Sequence, residues 1–289
     1  FGGEKHTLWN KIYPSYNSKG FNSDSLHITE GYDSVIARYN SEKKDIFFIN
    51  GLKHADTSMK YFGEWVDACL RTNPQAKTVL VIGLGAGNVV NRLATYPTLE
   101  NITVVEINKS LLTSHRKMGN SPIFTDPKIN IIIDDARMYL DKSRNNYDII
   151  FVDHSRPYSS LSNNLFSSEF MNLVSKRLNK NGIYTFGTIN RSVLRATALD
   201  TFKDCNLYLH FGVCSNDNIQ FQELPKLTLK FGFIDGDAVM EEYKKYQIIT
   251  DDNMLMEYYI GTSFKSLGFS VETKLSLNAK DVFVVFIAS

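Results

Sequence analysis

The residues best suited to chemistry are the run Val79-Leu80-Val81-Ile82-Gly83-Leu84-Gly85-Ala86-Gly87-Asn88 and the acidic positions that follow it. An apolar run that delivers closely spaced glycines lets the backbone turn sharply and approach a ligand with no Cβ in the way. A dinucleotide-binding turn reads G-x-G-x-x-G or ends in Ala, and Asn88 breaks that pattern. Gly83, Gly85 and Gly87 spell G-x-G-x-G, which is either a ligand cradle or a tight structural turn. Glu106 lies 19 residues after Gly87, at the end of Val104-Val105-Glu106-Ile107. An acid there can accept both ribose hydroxyls of an adenosine; its alternative is a capping or solvated carboxylate. Asp134-Asp135-Ala136 follows the next apolar run, where an acid reaches an adenine amino group or caps a helix. Asp153 closes the run after that, where a reacting carboxylate would sit.

These positions have meaning only if strands and helices alternate around them. Strands are expected at Thr78–Ile82, Ile102–Ile107, Ile129–Ile133, Asp148–Val152 and Gly182–Ile189. Helices are expected between them at Asn88–Thr95, Lys109–Lys117, Ala136–Lys142 and Ser167–Leu178. That alternation is the signature of βαβ units and a parallel sheet, and strands apolar throughout are those buried on both faces. In open sheets of this kind ligands bind beyond the carboxyl ends of the strands, where the glycines and acids fall.

Before Pro74 the character differs. Residues 1–25 read as an irregular arm, and Leu26–Glu30, Ser34–Tyr39 and Asp45–Ile49 as a small antiparallel sheet. Tyr61, Trp65 and Cys69 form a helical stripe. The expected division is 1–73 for the arm and β-domain and 74–289 for a Rossmann-like α/β domain. Beyond Asn190 a helix is expected at Val193–Phe202 and strands at Leu207–Val213 and Leu227–Phe233. Helices follow at Glu241–Tyr246 and Asp252–Leu267, and a last strand at Val282–Ile287.

Composition bounds the function. The 289 residues carry a formal charge of +1 and are 43% hydrophobic, which suits a folded core and argues against a binder of nucleic-acid phosphates. Cys69, Cys205 and Cys214 are scattered, with no C-x-x-C, which argues against a disulfide framework or a metal site and for a reducing, cytoplasmic compartment. No apolar run reaches the length of a membrane helix. The chain begins at Phe1 rather than Met, so it is also read as the soluble part of a longer membrane-linked protein, at the cytoplasmic face of the membrane. The β-prone N-terminal segment suits pairing across a homodimer.

The glycine turn resembles the first motif of class I S-adenosylmethionine (AdoMet) enzymes, and the stretch from Glu30 to Asn190 resembles the spermidine-synthase family of aminopropyltransferases. The resemblance is carried by Ile49-Asn50-Gly51, Tyr61, Gly83–Gly87, Val105-Glu106-Ile107 and Asp126-Pro127. Asp135, Tyr147-Asp148 through Asp153, Pro157, Leu165-Phe166 and Glu169-Phe170 continue it. Thr250-Asp251-Asp252 before Glu257-Tyr258 is similar to family members fused to membrane segments. The resemblance implies a small N-terminal β-domain before a Rossmann-like class I AdoMet-dependent transferase domain. The chemistry it implies is alkyl transfer from a sulfonium to an amine, with Asp153 as the base. Tyr61 falls at the family's active-site tyrosine; as a core aromatic on the Trp65 face it has an equally good explanation.

Three positions depart from the family pattern. Ala86 stands where the family has an Asp that grips the amino group of decarboxylated AdoMet. Arg156 replaces the second Asp of D-x-x-D-P, and His54 falls near a family glutamine. Arg156 should repel a polyamine, as a cation beside a cation. The resulting expectation is a pocket for intact AdoMet, with methyl or aminocarboxypropyl transfer to a small acceptor. Arg156 pairs with the AdoMet carboxylate or with an acidic acceptor, or is a solvated loop arginine, and His54 touches the substrate or is a surface histidine. The alternatives are a polyamine aminopropyltransferase, making spermidine and methylthioadenosine from putrescine and decarboxylated AdoMet, and a non-catalytic nucleoside-binding module. No metal is expected.

Overall fold

The structure is a computed structural model that describes residues 25–32, 34–41, 44–58, 61–118, 121–153, 162–187, 192–208, 211–219, 233–234, 246 and 248–253. The arm at 1–24, the helix at Asp252–Leu267 beyond residue 253 and the strand at Val282–Ile287 lie outside these residues, as do most of Leu227–Phe233 and Glu241–Tyr246.

The N-terminal part is a four-stranded antiparallel sheet in the order β1 (Leu26–Glu30), β2 (Val35–Ser41), β3 (Lys44–Ile49), β4 (Leu52–Asp56). Three of these strands match the sequence expectation. The fourth was missed because Leu52-Lys53-His54-Ala55-Asp56 is too polar to read as a strand; it follows a tight reversal at Asn50 and Gly51, whose φ angles are 48° and 81°. Helix α1 (Tyr61–Thr72) then buries Phe62, Trp65, Val66, Ala68, Cys69 and Leu70. Its Trp65 ring lies 5.5 Å from Phe151 and its Nε1–H donates to Thr185 Oγ1 at 2.5 Å, so the stripe seen in the sequence seats this helix on the second sheet.

Among the described residues that sheet has eight strands: β5 (Thr78–Ile82), β6 (Asn101–Glu106), β7 (Ile129–Ile133), β8 (Tyr147–Val152), β9 (Leu178–Gly187), β10 (Asp204–Tyr208), β11 (Phe211–Ser215) and β12 (Phe233–Ile234). Their spatial order is β12-β10-β11-β9-β8-β5-β6-β7. Strands β9, β8, β5, β6 and β7 are mutually parallel, and β11, β10 and β12 are antiparallel to their neighbours. The chain leaves β5 toward β6 and later returns to its other side as β8, which makes the carboxyl end of β5 a topological switch point. The intervening helices are α2 (Asn88–Ala94), α3 (Lys109–Arg116), α4 (Pro122–Thr125), α5 (Ala136–Lys142), α6 (Ser168–Ser175) and α7 (Ser192–Thr201). This is the expected α/β class, with a small β-sheet ahead of a Rossmann-like unit.

Four expectations are corrected. The sheet is mixed rather than wholly parallel. Leu207–Val213 is not one strand: Leu207-Tyr208 ends β10 and Phe211–Val213 opens β11, its antiparallel neighbour. Strand β7 is the sheet edge and is only partly buried, although isoleucines fill four of its five positions. Finally, Cys205 and Cys214 are disulfide-bonded, because the antiparallel register sets them directly opposite each other. A reading that ran the two strands together could not bring those cysteines face to face. Cys69 stays a buried free thiol, pushed up to about 12 by burial.

Candidate active site

Three strand ends are stitched together at the switch point. Gly83 N–H donates to Val105 O at 2.9 Å, and Asp153 N–H donates to Ile82 O at 2.8 Å. Between them the glycine turn runs into α2, with Gly87 N–H closing onto Leu84 O at 2.8 Å. Gly85 has φ 53° and Gly87 φ 80°, both left-handed. A Cβ on Gly85 would stand 3.8 Å from Asp153 Oδ2, an ordinary contact, so the bar to a side chain there is conformational, about 1–2 kcal/mol. A Cβ on Gly87 would also meet Ile123 Cδ1 at 2.5 Å.

Glu106 closes β6 and is buried. Its Oε2 accepts Leu84 N–H at 2.8 Å and its Oε1 accepts Asn108 N–H at 2.7 Å, so this carboxylate shapes the turn. Each carboxylate oxygen has two acceptor sites, which leaves a ribose role compatible with these bonds. Asp153 follows β8 and is 7% exposed. Burial, and then the charge of Glu106, push its carboxyl well above the ordinary carboxylate range. No described residue donates a hydrogen bond to that side chain. A buried acid that no described residue bonds, packed against a glycine cradle, fits a proton-accepting or cation-orienting role.

The other acids are placed differently. Asp135 is the N-cap of α5, accepting Met138 N–H at 2.9 Å, so the capping alternative is realised at this residue. Asp134 accepts Asp135 N–H and borders a groove of about 660 Å³ along β6, β7, Tyr139 and Tyr147, away from the glycine turn. Ala136 opens α5, buried in the same apolar cluster as Ile82 and Val105. Tyr61 opens α1, half-buried at the end of the stripe that continues into Trp65, and His54 is half-buried on β4. Arg156 lies outside the described residues, so no site is built around it. Ala86, 4% exposed within the turn, brings no charge.

Sequence reasoning missed the supports beneath the turn. Asn88 Nδ2 donates to the carbonyl of Asp56 at 2.8 Å, tying the turn to β4. For the Asp56 carboxyl, burial is outweighed by hydrogen bonds from Ser58, Lys53 and Lys44, which draw it down to about 2. His115 Nε2 lies 2.8 Å from Gly85 O. Its only signal in the sequence was membership of the Leu111, Leu112, His115 face of α3, which a charged neighbourhood of Arg116 and Lys117 obscures. Among the described residues no group of three or more His, Cys, Asp or Glu is arranged to hold a metal, and no helix is long and apolar enough to cross a membrane.

The spermine/spermidine synthase domain matches residues 64–208, half of the chain. A polyamine aminopropyltransferase of Alkaliphilus oremlandii is 35% identical over 116 residues, covering 39% of this chain and 40% of that protein. The chain thus spans less than half the length of the curated relatives it matches. The spermidine synthase of Thermotoga maritima aligns with a TM-score of 0.62 at 18% identity, covering 76% of this chain and 88% of that one. A spermidine synthase solved with the transition state analogue AdoDATO aligns at 0.61 and 18%, covering 85% and 89%. At such identities these structures speak for the fold, which they share with this chain. The match over 64–208 includes the glycine turn, Glu106 and Asp153, and by it the chain belongs to the spermine/spermidine synthase family.

Proposed function

We propose that this chain is a polyamine aminopropyltransferase, moving an aminopropyl group from decarboxylated AdoMet to a primary amine such as that of putrescine. The amine nitrogen attacks the carbon next to the sulfonium. A C–N bond forms, the C–S bond breaks, its electron pair returns to sulfur, and methylthioadenosine leaves. The proton lost by the amine goes to Asp153, with Tyr61 orienting the same amine. Gly83, Gly85 and Gly87 cradle the donor, Glu106 accepts from its ribose, and the start of α5 at Asp135 borders its adenine. In this reading residues 74–289 carry the chemistry and 1–73 supply the cover, with His54 on the acceptor side; Arg156, a cation that would repel putrescine, is given no part in holding the amine.

The observation that carries this reading is Asp153, buried against Gly85 and beside Glu106. Two carboxylates so placed favour a ligand that is cationic and lacks a carboxylate of its own. Decarboxylated AdoMet, with a sulfonium and an ammonium, answers that better than intact AdoMet does. The expectation of an intact donor rests on Ala86, which leaves the ammonium without the family's Asp; methyl transfer finds no support among the relatives. Incubation with putrescine and either donor separates the readings. Methylthioadenosine and spermidine from the decarboxylated donor support aminopropyl transfer. Turnover of intact AdoMet alone would overturn it, and tight binding without turnover of either donor would leave a nucleoside-binding module.

A further inference from the structure

His115 is 1% exposed, so the ring is packed inside the protein rather than presented to the cleft. Its Nε2 lies 2.8 Å from Gly85 O. A carbonyl only accepts, so the ring must donate, and the proton is on Nε2. The ring is stacked on Phe47 of β3, centroids 4.7 Å apart and planes 21° apart, and its Cε1 sits 3.7 Å from where a Cβ of Gly87 would be. Phe47 is itself fully buried. The imidazole is therefore held from the N-terminal sheet on one side and holds the middle of the glycine turn on the other. On its other side, Gly85 faces Asp153 Oδ2. Burial holds the imidazole below its ordinary value, which suits a neutral ring with one donor.

Resting on the reading that this turn cradles a sulfonium nucleoside, we propose that His115 is a positioning residue: its Nε2–H pins the Gly85 peptide, and so sets the donor cradle against Asp153. The small N-terminal sheet thereby contributes to donor binding through Phe47 and His115, without touching the donor.

The test compares His115→Phe, which keeps a ring on Phe47 but loses the N–H, with His115→Gln, whose amide can restore it. Binding is read with methylthioadenosine by calorimetry, and turnover with decarboxylated AdoMet and putrescine. His115→Phe should raise the nucleoside Kd and the donor KM about tenfold, as expected for one buried hydrogen bond, and leave the amine KM alone. His115→Gln should recover most of that loss. A residue that only fills the core would lower the active fraction and leave both KM values unchanged; that result overturns the proposal. If His115→Phe does not fold, nitrogen NMR of the wild-type ring decides: an Nε2–H tautomer slow to exchange supports the proposal, and an Nδ1–H tautomer overturns it. Wild-type protein that binds methylthioadenosine but turns over no donor would sink the transfer reading and leave this one standing on the binding data.

Discussion

Asp148 and Asp153 stand near opposite ends of β8, and the fold treats them in opposite ways. At the amino end, Asp148 Oδ2 accepts from Lys77 N–H at 2.8 Å, Thr78 N–H at 2.9 Å and Thr78 Oγ1 at 3.0 Å, while Asn179 Nδ2 donates to Oδ1 at 2.7 Å. Burial would raise this carboxyl, but the bonds from Lys77, Asn179 and Thr78 outweigh it and hold it below the ordinary range. Asp148 clasps β5, β8 and β9 together. At the carboxyl end, Asp153 is more deeply buried, receives no such bonds from the described residues and is pushed upward. A carboxylate that its neighbours bond holds the structure together, whereas one that no described residue bonds is free to serve the cationic ligand proposed for it.

The strongest way to break this contrast is Asp153→Asn, which keeps the shape and removes the charge. Turnover should fall by about 10²–10⁴ while methylthioadenosine binding changes little. A folded variant with wild-type turnover would return Asp153 to a structural role. Next in size, Glu106→Ala should weaken nucleoside binding by about tenfold or more, since it removes the acceptor of Leu84 N–H and, on the proposed function, charge-assisted bonds to the ribose. An unchanged Kd would remove Glu106 from the donor site.

Asp148→Ala should do the reverse of Asp153→Asn. Losing the clasp should cost about 2–3 kcal/mol of stability, roughly 5–10 °C in melting temperature, with the rate per folded molecule unaltered. Because the Asp148 carboxyl is lowered in the folded state, its contribution is present above the unfolded carboxylate range near ~3.9 and is lost as pH falls through the folded value. The smallest effect is the most pointed. The Asp153 carboxyl is raised in the folded state, so folding loses stability as pH rises from the unfolded value through the folded one. Ligand-free Asp153→Asn should therefore melt higher than wild type at neutral pH, and the gap should close below a pH of about 4. A variant that melts lower at neutral pH would show that Asp153 is held by partners after all.

Much of this was legible in the chain. Alternating apolar runs and helical stripes have periods that local geometry imposes, so β5 to β9 and helices α2, α3, α5 and α6 could be located, though not the short α4, as could Gly83–Gly87, Glu106 and Asp153 at the strand ends. Local sequence also carries the capping of α5 by Asp135, because an N-cap bonds only a few residues onward. Contacts between distant segments left no such trace. That Cys205 meets Cys214 depends on a register between two strands that reads as one apolar run. That described residues bond the Asp148 side chain while none donates to that of Asp153 depends on which backbone amides at the start of β5 and which side chain of β9 arrive beside Asp148. That His115 reaches under Gly85 depends on how α3 packs between the two sheets, since the residue itself looks like a surface histidine in a basic helix. Sequence by itself determined which residues could do chemistry; tertiary structure decided that described neighbours bond Asp148 and leave Asp153 buried without such bonds, because desolvation and hydrogen bonding are set by neighbours far away along the chain.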